Sequence, residues 1–287
     1  MGSPALLDVD PAAVAKGVPD NPFRVRHHLT GHPLLTLEAL AGLGQSLPDG
    51  SIEHNRGSVP VVLPSGDAPR EGLAIGELIG GIATNGCWAV LKNIEQSPGY
   101  GRLLDQCLDE LGAQLGGPDR MTKREGFVFL SAPGSVTPAH IDPEFNVLLQ
   151  VSGTKLMHIG RFSTAEHAQQ WAERSYMGAH RNLDALPQSA QAFPLDAGDG
   201  VFVPLLAPHW VENGDAVSIS LSITWHTQGC DRAELVHSLN ARLRRVGLNP
   251  RPPGTSPVSD WAKYVAVRGL HLAAGAARAV ERRLRAR

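Results

Sequence analysis

A mainly β fold, a barrel or jelly roll with helical N- and C-terminal extensions, is what this 287-residue sequence predicts. Three observations carry that reading. Strand-like runs crowd one stretch of chain, at Gly126–Leu130, Phe145–Val151, Lys155–Gly160, Gln191–Pro194, Gly200–Pro204 and Val217–Trp225. Turn signals separate them, at Ala132-Pro133-Gly134, Ser152-Gly153, Ala197-Gly198-Asp199 and Asn213-Gly214-Asp215, and short strands so punctuated suit a closed antiparallel architecture. Outside this stretch the apolar period changes: leucines at 103, 104, 108, 111 and 115, then apolar residues at 235, 236, 239, 243 and 246, follow helical spacing.

Taken in order, residues 1–35 read as an irregular arm with one short strand, and its His27, His28 and His32 read as surface residues because no carboxylate or Cys joins them at ligand spacing. A helix is expected over Leu34–Leu47, stopped by Pro48-Asp49-Gly50, then a strand at Val59–Leu63. Gly72–Gly81 reads as a helix, Cys87–Leu91 as a buried strand, and Tyr100–Leu115 as a helix packed on the sheet and ended by Gly116-Gly117-Pro118. Thr164–Ser175 interrupts the β pattern as a helical insertion. Helices resume over Asp231–Val246 and, after the Asn249–Gly254 break, over Ser259–Arg287, with Ser259 or Asp260 as N-cap. The expected segments are therefore an α/β extension over 1–120 packed on the core, a β core over 121–228, and a helical, Arg-rich segment over 229–287.

A hydrophobic content of 42% with 19% charged residues is that of a soluble globular chain long enough for a full core. The net charge of −2 conceals an asymmetry: from Arg242 onward ten Arg and one Lys face only Asp260 and Glu281, a net of +9, which leaves −11 on the first 241 residues. Such a segment can bind nucleic acid or acidic partners; a solvated helical face, whose apolar side packs on the core or on a second subunit in a homodimer, is the reading preferred here, with nucleic acid not expected. Cys87, Cys107 and Cys230 form no metal-binding spacing and point to free thiols in a reducing, cytoplasmic setting. The N-terminus lacks the pattern of a secretory signal, and no apolar run reaches the length of a membrane span.

Within the β stretch lies His140-Ile141-Asp142. On a strand, residues i and i+2 share a face, so imidazole and carboxylate aim at a common point. His209, in Gly198-Asp199-Gly200-Val201-Phe202-Val203-Pro204 through Pro208-His209-Trp210, is the best third ligand, with His226 as its competitor. Two His and one carboxylate on one side of a metal, with other positions open, form the facial triad of non-haem Fe(II) oxygenases.

The neighbourhood of this triplet is more specific than the triplet. The run Val136-Thr137-Pro138-Ala139-His140-Ile141-Asp142, continuing through Asn146, Leu148, Gln150, Gly153 and Lys155, resembles the JmjC branch of the cupin superfamily, the Fe(II)/2-oxoglutarate-dependent oxygenases, and within it the subgroup of the asparaginyl hydroxylase of hypoxia-inducible factor. The resemblance spans about Phe127 to Trp225. It implies a double-stranded β-helix, Fe(II) held by His140, Asp142 and His209, the distal carboxylate of 2-oxoglutarate paired with Lys155 and Thr137, and Asn146 near the 1-carboxylate. It further implies O2 as co-reactant, conversion of 2-oxoglutarate to succinate and CO2, and hydroxylation of a C–H bond in a protein or peptide side chain. A small-molecule hydroxylase or an N-demethylase would use the same chemistry. Physical argument agrees at Lys155, since a buried ammonium is unfavourable unless an anion meets it. Two departures stand out: the closing strand carries Ser220, Ser222 and Thr224 where the subgroup has Asn, and His209 follows Ala207-Pro208 instead of an aromatic pair. Two readings of other classes are a metal-binding cupin without oxygenase activity and an interaction protein acting through its basic tail.

Overall fold

The computed structural model describes residues 5–63, 72–115, 117 and 121–270, which fall into two compact units: Met1–Ser163 with Arg181–Thr227, and Thr164–His180 with the C-terminal residues from Gln228 onward. The first unit holds twelve strands: β1 Leu7–Asp8, β2 Phe23–His27, β3 Ile52–Arg56, β4 Cys87–Lys92, β5 Thr122–Ser131, β6 Val136–His140, β7 Phe145–Ser152, β8 Lys155–Arg161, β9 Ser189–Leu195, β10 Asp199–Val203, β11 His209–Asn213 and β12 Ser218–His226. It also holds helices α1 Pro11–Gly17, α2 Leu37–Ser46, α3 Ile75–Gly80 and α4 Pro98–Gln114.

The last eight strands pair in nested order, all antiparallel: β5 with β12, β6 with β11, β7 with β10, and β8 with β9. A hairpin folded back on itself in this way gives a double-stranded β-helix, whose two facing sheets run β6-β11-β8-β9 and β1-β2-β10-β7-β12-β5-β4-β3. The N-terminal region thus lengthens the larger sheet at both edges, through β1 and β2 beside β10 and through β3 and β4 beside β5. At the β7–β8 turn Gly153 adopts φ +71°, and a Cβ there would meet the Val217 carbonyl oxygen at 2.4 Å, so only glycine closes the turn.

Period-two alternation sorts each strand into two faces. Leu148, Met157, Ile159, Phe193, Leu195, Val201, Val203 and Val211, drawn from both sheets, form one buried cluster and thereby mark the inner face. On the outer face of the larger sheet Phe23, Phe202, Phe145 and Trp225 stack in a row, with ring centroids 4.8, 5.9 and 5.7 Å apart. Helix α4 lies against β5 and β12, with Leu104 beside Gly126 and with Leu108 and Leu111 buried.

The expected strand at Val59–Leu63 is absent: Pro60 lacks a donor, and this segment instead offers carbonyls, Val61 O accepting from the Ala139 amide. The strand of this region is β3. The arm holds α1, capped by the Asp10 side chain, as well as two strands. His27, expected at the surface, is buried on β2; its Nε2 lies 2.9 Å from the Gln150 carbonyl. The strand expected around His140-Ile141-Asp142 is β6, which ends at His140, while the sequence pattern does not mark β11 as a strand.

The second unit is helical: α5 Ala165–Tyr176, α6 Gln228–Arg245 and α7, residues 257–270. Thr164 caps α5 by accepting from the His167 amide, and the buried Glu173 accepts from Arg244 Nε at 3.1 Å. Helix α7 leaves Val258, Trp261, Val265 and Leu270 exposed. The expected continuation of this helix to Arg287 lies outside the described residues. Among the described residues no helix is long and apolar enough to cross a membrane.

Candidate metal centre

His140 ends β6 and His209 begins β11, and the two are paired in register. That pairing depends on a bulge. Two steps along β11, from His209 to Val211, oppose three along β6, from His140 to Thr137. The extra residue lets Thr137 and His140 both face inward, which strict alternation forbids; bulges re-aim side chains in this manner, and Pro138 is tolerated within one. Asp142 does not lie on the strand, contrary to the expectation from parity. Pairing with β11 stops at His140; on the opposite edge of β6 the Ile141 amide donates to the Arg181 carbonyl at 3.2 Å, and the Asp142 carbonyl accepts from the Leu206 amide at 2.9 Å.

The three side chains nonetheless converge. His140 Nε2 and His209 Nε2 lie 3.6 and 3.4 Å from Asp142 Oδ2, and the ring centroids are 4.1 Å apart. His140 Nδ1 is 2.7 Å from the Pro138 carbonyl, and His209 Nδ1 is 2.9 Å from the Ala207 carbonyl. A carbonyl accepts only, so each Nδ1 carries the proton and each Nε2 presents a lone pair to the shared point. Two imidazole nitrogens and a carboxylate oxygen, all within 4.8 Å of one another, fit a divalent first-row metal ion. Burial opposes ionisation of Asp142, but His140 and His209 outweigh it and hold the carboxyl well below the usual range. Burial likewise opposes the charged His140, yet Asp142 raises its pKa, while burial and the nearby His140 lower that of His209.

The competing His226 ends β12, with its Nδ1 3.5 Å from Lys123 Nζ, and is not part of this cluster. Glu144, which no motif marks, is largely buried; burial and the Asp142 charge push its carboxyl up to about 8. Arg181, 39 residues from Asp142 in sequence, donates to Asp142 Oδ1 at 2.8 Å and approaches Glu144 at 3.6 Å.

Lys155 opens β8 on the inner face, four residues before Ile159, the partner of His209. That is about 13 Å of strand. Its side chain is buried, no ion-pair or hydrogen-bond partner meets its ammonium among the described residues, and burial lowers its pKa to about 7. Between the two points the inner face of β12 is polar, and β7 adds Asn146 and Gln150 on either side of Leu148. Ser222 donates to Asn146 Oδ1 at 2.7 Å, Ser220 donates to Gln150 Oε1 at 2.7 Å, and Gln150 Nε2 donates to Ser218 Oγ at 3.0 Å. The closing-strand hydroxyls thus bind the β7 amides, and Thr137, half-buried and opposite Val211, completes the polar lining.

No protein-family model matches the sequence, and no curated protein sequence matches it. Solved structures do share its fold. A structure of Escherichia coli YcfD aligns over 93% of this chain and 68% of its own, with 14% identity and a TM-score of 0.53. Two further structures, described as YcfD, a ribosomal oxygenase from Escherichia coli, in complex with cobalt and succinic acid and in complex with cobalt and 2-oxoglutarate, align over 93% of this chain and 67% of their own at 14% identity, with TM-scores of 0.51 and 0.50. At this identity the likeness establishes the fold alone, in keeping with the double-stranded β-helix that the nested strand pairing gives.

Proposed function

We propose that this protein is an Fe(II)- and 2-oxoglutarate-dependent oxygenase that hydroxylates a C–H bond of a protein side chain. The observation that carries the reading is a pairing: three convergent donors at one level of the β-helix, and a buried ammonium with no anion at another level of the same interior. A metal-binding cupin with no cosubstrate has no use for that ammonium, whereas a dicarboxylate chelating the metal at one end answers it at the other. The structural neighbours described with cobalt and 2-oxoglutarate, and as ribosomal oxygenases, support the same reading and favour a protein substrate over a small molecule. A ribosomal substrate would in turn fit a cytoplasmic location.

In this reading His140 Nε2, Asp142 Oδ2 and His209 Nε2 hold Fe(II), and Pro138 and Ala207 carbonyls fix the two rings in the required tautomer. Lys155 pairs with the distal carboxylate, Thr137 hydrogen-bonds the same group, and Asn146, steadied by Ser222, lies at the 1-carboxylate. The apolar inner cluster around Met157 and Ile159 keeps water from the cosubstrate. Fe(II) with 2-oxoglutarate and O2 supplies the chemistry: oxidative decarboxylation to succinate and CO2, with one oxygen atom entering the substrate C–H bond.

Succinate release tests the proposal. It is expected to require Fe(II) and 2-oxoglutarate and to rise when bacterial ribosomal proteins are added, with a mass gain of one oxygen on one of them. Release no greater than that of His209→Ala would refute the oxygenase; release unaffected by protein but stimulated by small molecules would move the substrate class.

A further inference from the structure

The geometry assigns to Arg181 the task of keeping Asp142 a one-oxygen ligand, and through it of keeping one coordination position open. This rests on the metal reading above. The two oxygens of Asp142 have different neighbours. Oδ2 faces both imidazole Nε2 atoms, at 3.6 and 3.4 Å, while Oδ1 accepts from Arg181 Nη1 at 2.8 Å. A carboxylate free at both oxygens can chelate a metal through both; a charge-assisted hydrogen bond to one leaves only the other.

Arg181 is not a stray surface cation. Its backbone belongs to a short segment laid along the edge of β6 that β11 does not use. The Ile141 amide donates to the Arg181 carbonyl at 3.2 Å and the Leu183 amide to the Ala139 carbonyl at 2.7 Å, with Asn182 bridged to His140 between them. The Asn182 side chain is tied in turn to the Leu63 carbonyl at 3.1 Å. The guanidinium is therefore set in register with the strand that carries His140, with the Glu144 carboxyl 3.6 Å away. Its side chain is 54% exposed, so solvent screens its charge and the hydrogen bond, not the field, is what acts on Asp142. Arg181 is a positioning residue: it touches the ligand and not the metal.

The test uses the full chain loaded with Mn(II) or Co(II), without cosubstrate and without turnover. Exchangeable waters on Mn(II) are counted by water-proton relaxation, and the Co(II) d–d spectrum is recorded. Arg181→Met, which keeps reach but has no donor, is expected to hold one water fewer than wild type, to shift the Co(II) spectrum, and to bind 2-oxoglutarate about tenfold more weakly or worse. Arg181→Lys, a point donor without the planar fork, is expected to fall between, and it carries the test if Arg181→Met does not fold. An unchanged water count and spectrum in both variants would overturn the assignment. His140→Ala separates this from failure of the metal reading: if it binds the ion as well as wild type does, or if wild type binds none, the metal centre itself is wrong and the role of Arg181 falls with it.

Discussion

The two faces of β12 are buried alike and built from opposite chemistry. Outward it presents Ile219, Leu221, Ile223 and Trp225; inward it presents Ser218, Ser220, Ser222 and Thr224, and none of the eight is more than 5% exposed. The outer face needs no ligand to explain it, since apolar area removed from water stabilises at roughly 25 cal/mol per Å². The inner face gains little from burial. Its hydroxyls are satisfied one by one, through Gln150, Asn146 and the Glu125 carbonyl, and satisfied buried polar groups add only about 1 kcal/mol each. Apolar residues of similar size would fill the same space. The difference teaches that the interior of this β-helix is shaped for occupants that the outer face never meets.

The largest effects should separate the two faces completely. His209→Ala is expected to reduce metal-dependent succinate release to background with the fold kept, by far-ultraviolet circular dichroism, because it deletes a donor from the convergent set. Leu221→Ala on the outer face should do the reverse, lowering stability in urea titrations by about 2–5 kcal/mol while leaving the metal affinity of the folded fraction unchanged. If Leu221→Ala also weakened metal binding at fixed folded fraction, the two faces would not be independent.

Lys155→Met sharpens the comparison by making an inner position resemble an outer one. It should weaken 2-oxoglutarate binding severely and at the same time stabilise the cosubstrate-free protein at pH 6 by about 1–3 kcal/mol, since it removes a lone buried cation. The pH dependence follows from the sign of the shift. Burial lowers the Lys155 pKa to about 7, against about 10.4 in an unfolded chain. Between those values the unfolded chain binds the extra proton, so wild-type stability gains from this residue as pH rises through that window. The advantage of Lys155→Met should accordingly be full below pH 7 and shrink toward pH 10. Cosubstrate affinity should move the other way, declining as pH rises above about 7, because the dicarboxylate must recruit the proton; calorimetry in two buffers of different ionisation heat would register the uptake.

Ser222→Ala is the smallest of the set. It leaves Asn146 Oδ1 without its donor at 2.7 Å and should lower stability by about 1 kcal/mol, read from the shift in the urea midpoint. A much larger loss would mean that the inner face carries as much of the fold as the outer one.

Much of this was legible in the sequence. Alternation and turn residues announce the strands from Phe127 to Trp225, and Leu103 to Leu115 announce α4, because both patterns are local. The nested pairing of β5 to β12 is not local; the sequence offers His209 as the third ligand, but not the register that sets it opposite His140. Three features escaped. The bulge at Pro138, which turns Thr137 inward, is a property of two strands together. The place of Asp142 beyond the end of β6 follows from where the β11 ladder stops, which is set by the partner strand. Arg181 itself lies in no motif, since its role comes from edge pairing between segments about forty residues apart, for which a single chain of residue types gives no signal.

The most direct measurement is anaerobic. Fe(II) is added to the metal-free protein, then 2-oxoglutarate, and the visible spectrum is followed for the weak metal-to-ligand charge-transfer band of a chelated 2-oxo acid. The account predicts that the band appears, that His209→Ala loses it, and that Lys155→Met shifts its appearance to much higher 2-oxoglutarate concentration. Fe(II) bound at His140, Asp142 and His209 with a spectrum that 2-oxoglutarate leaves unchanged would contradict it.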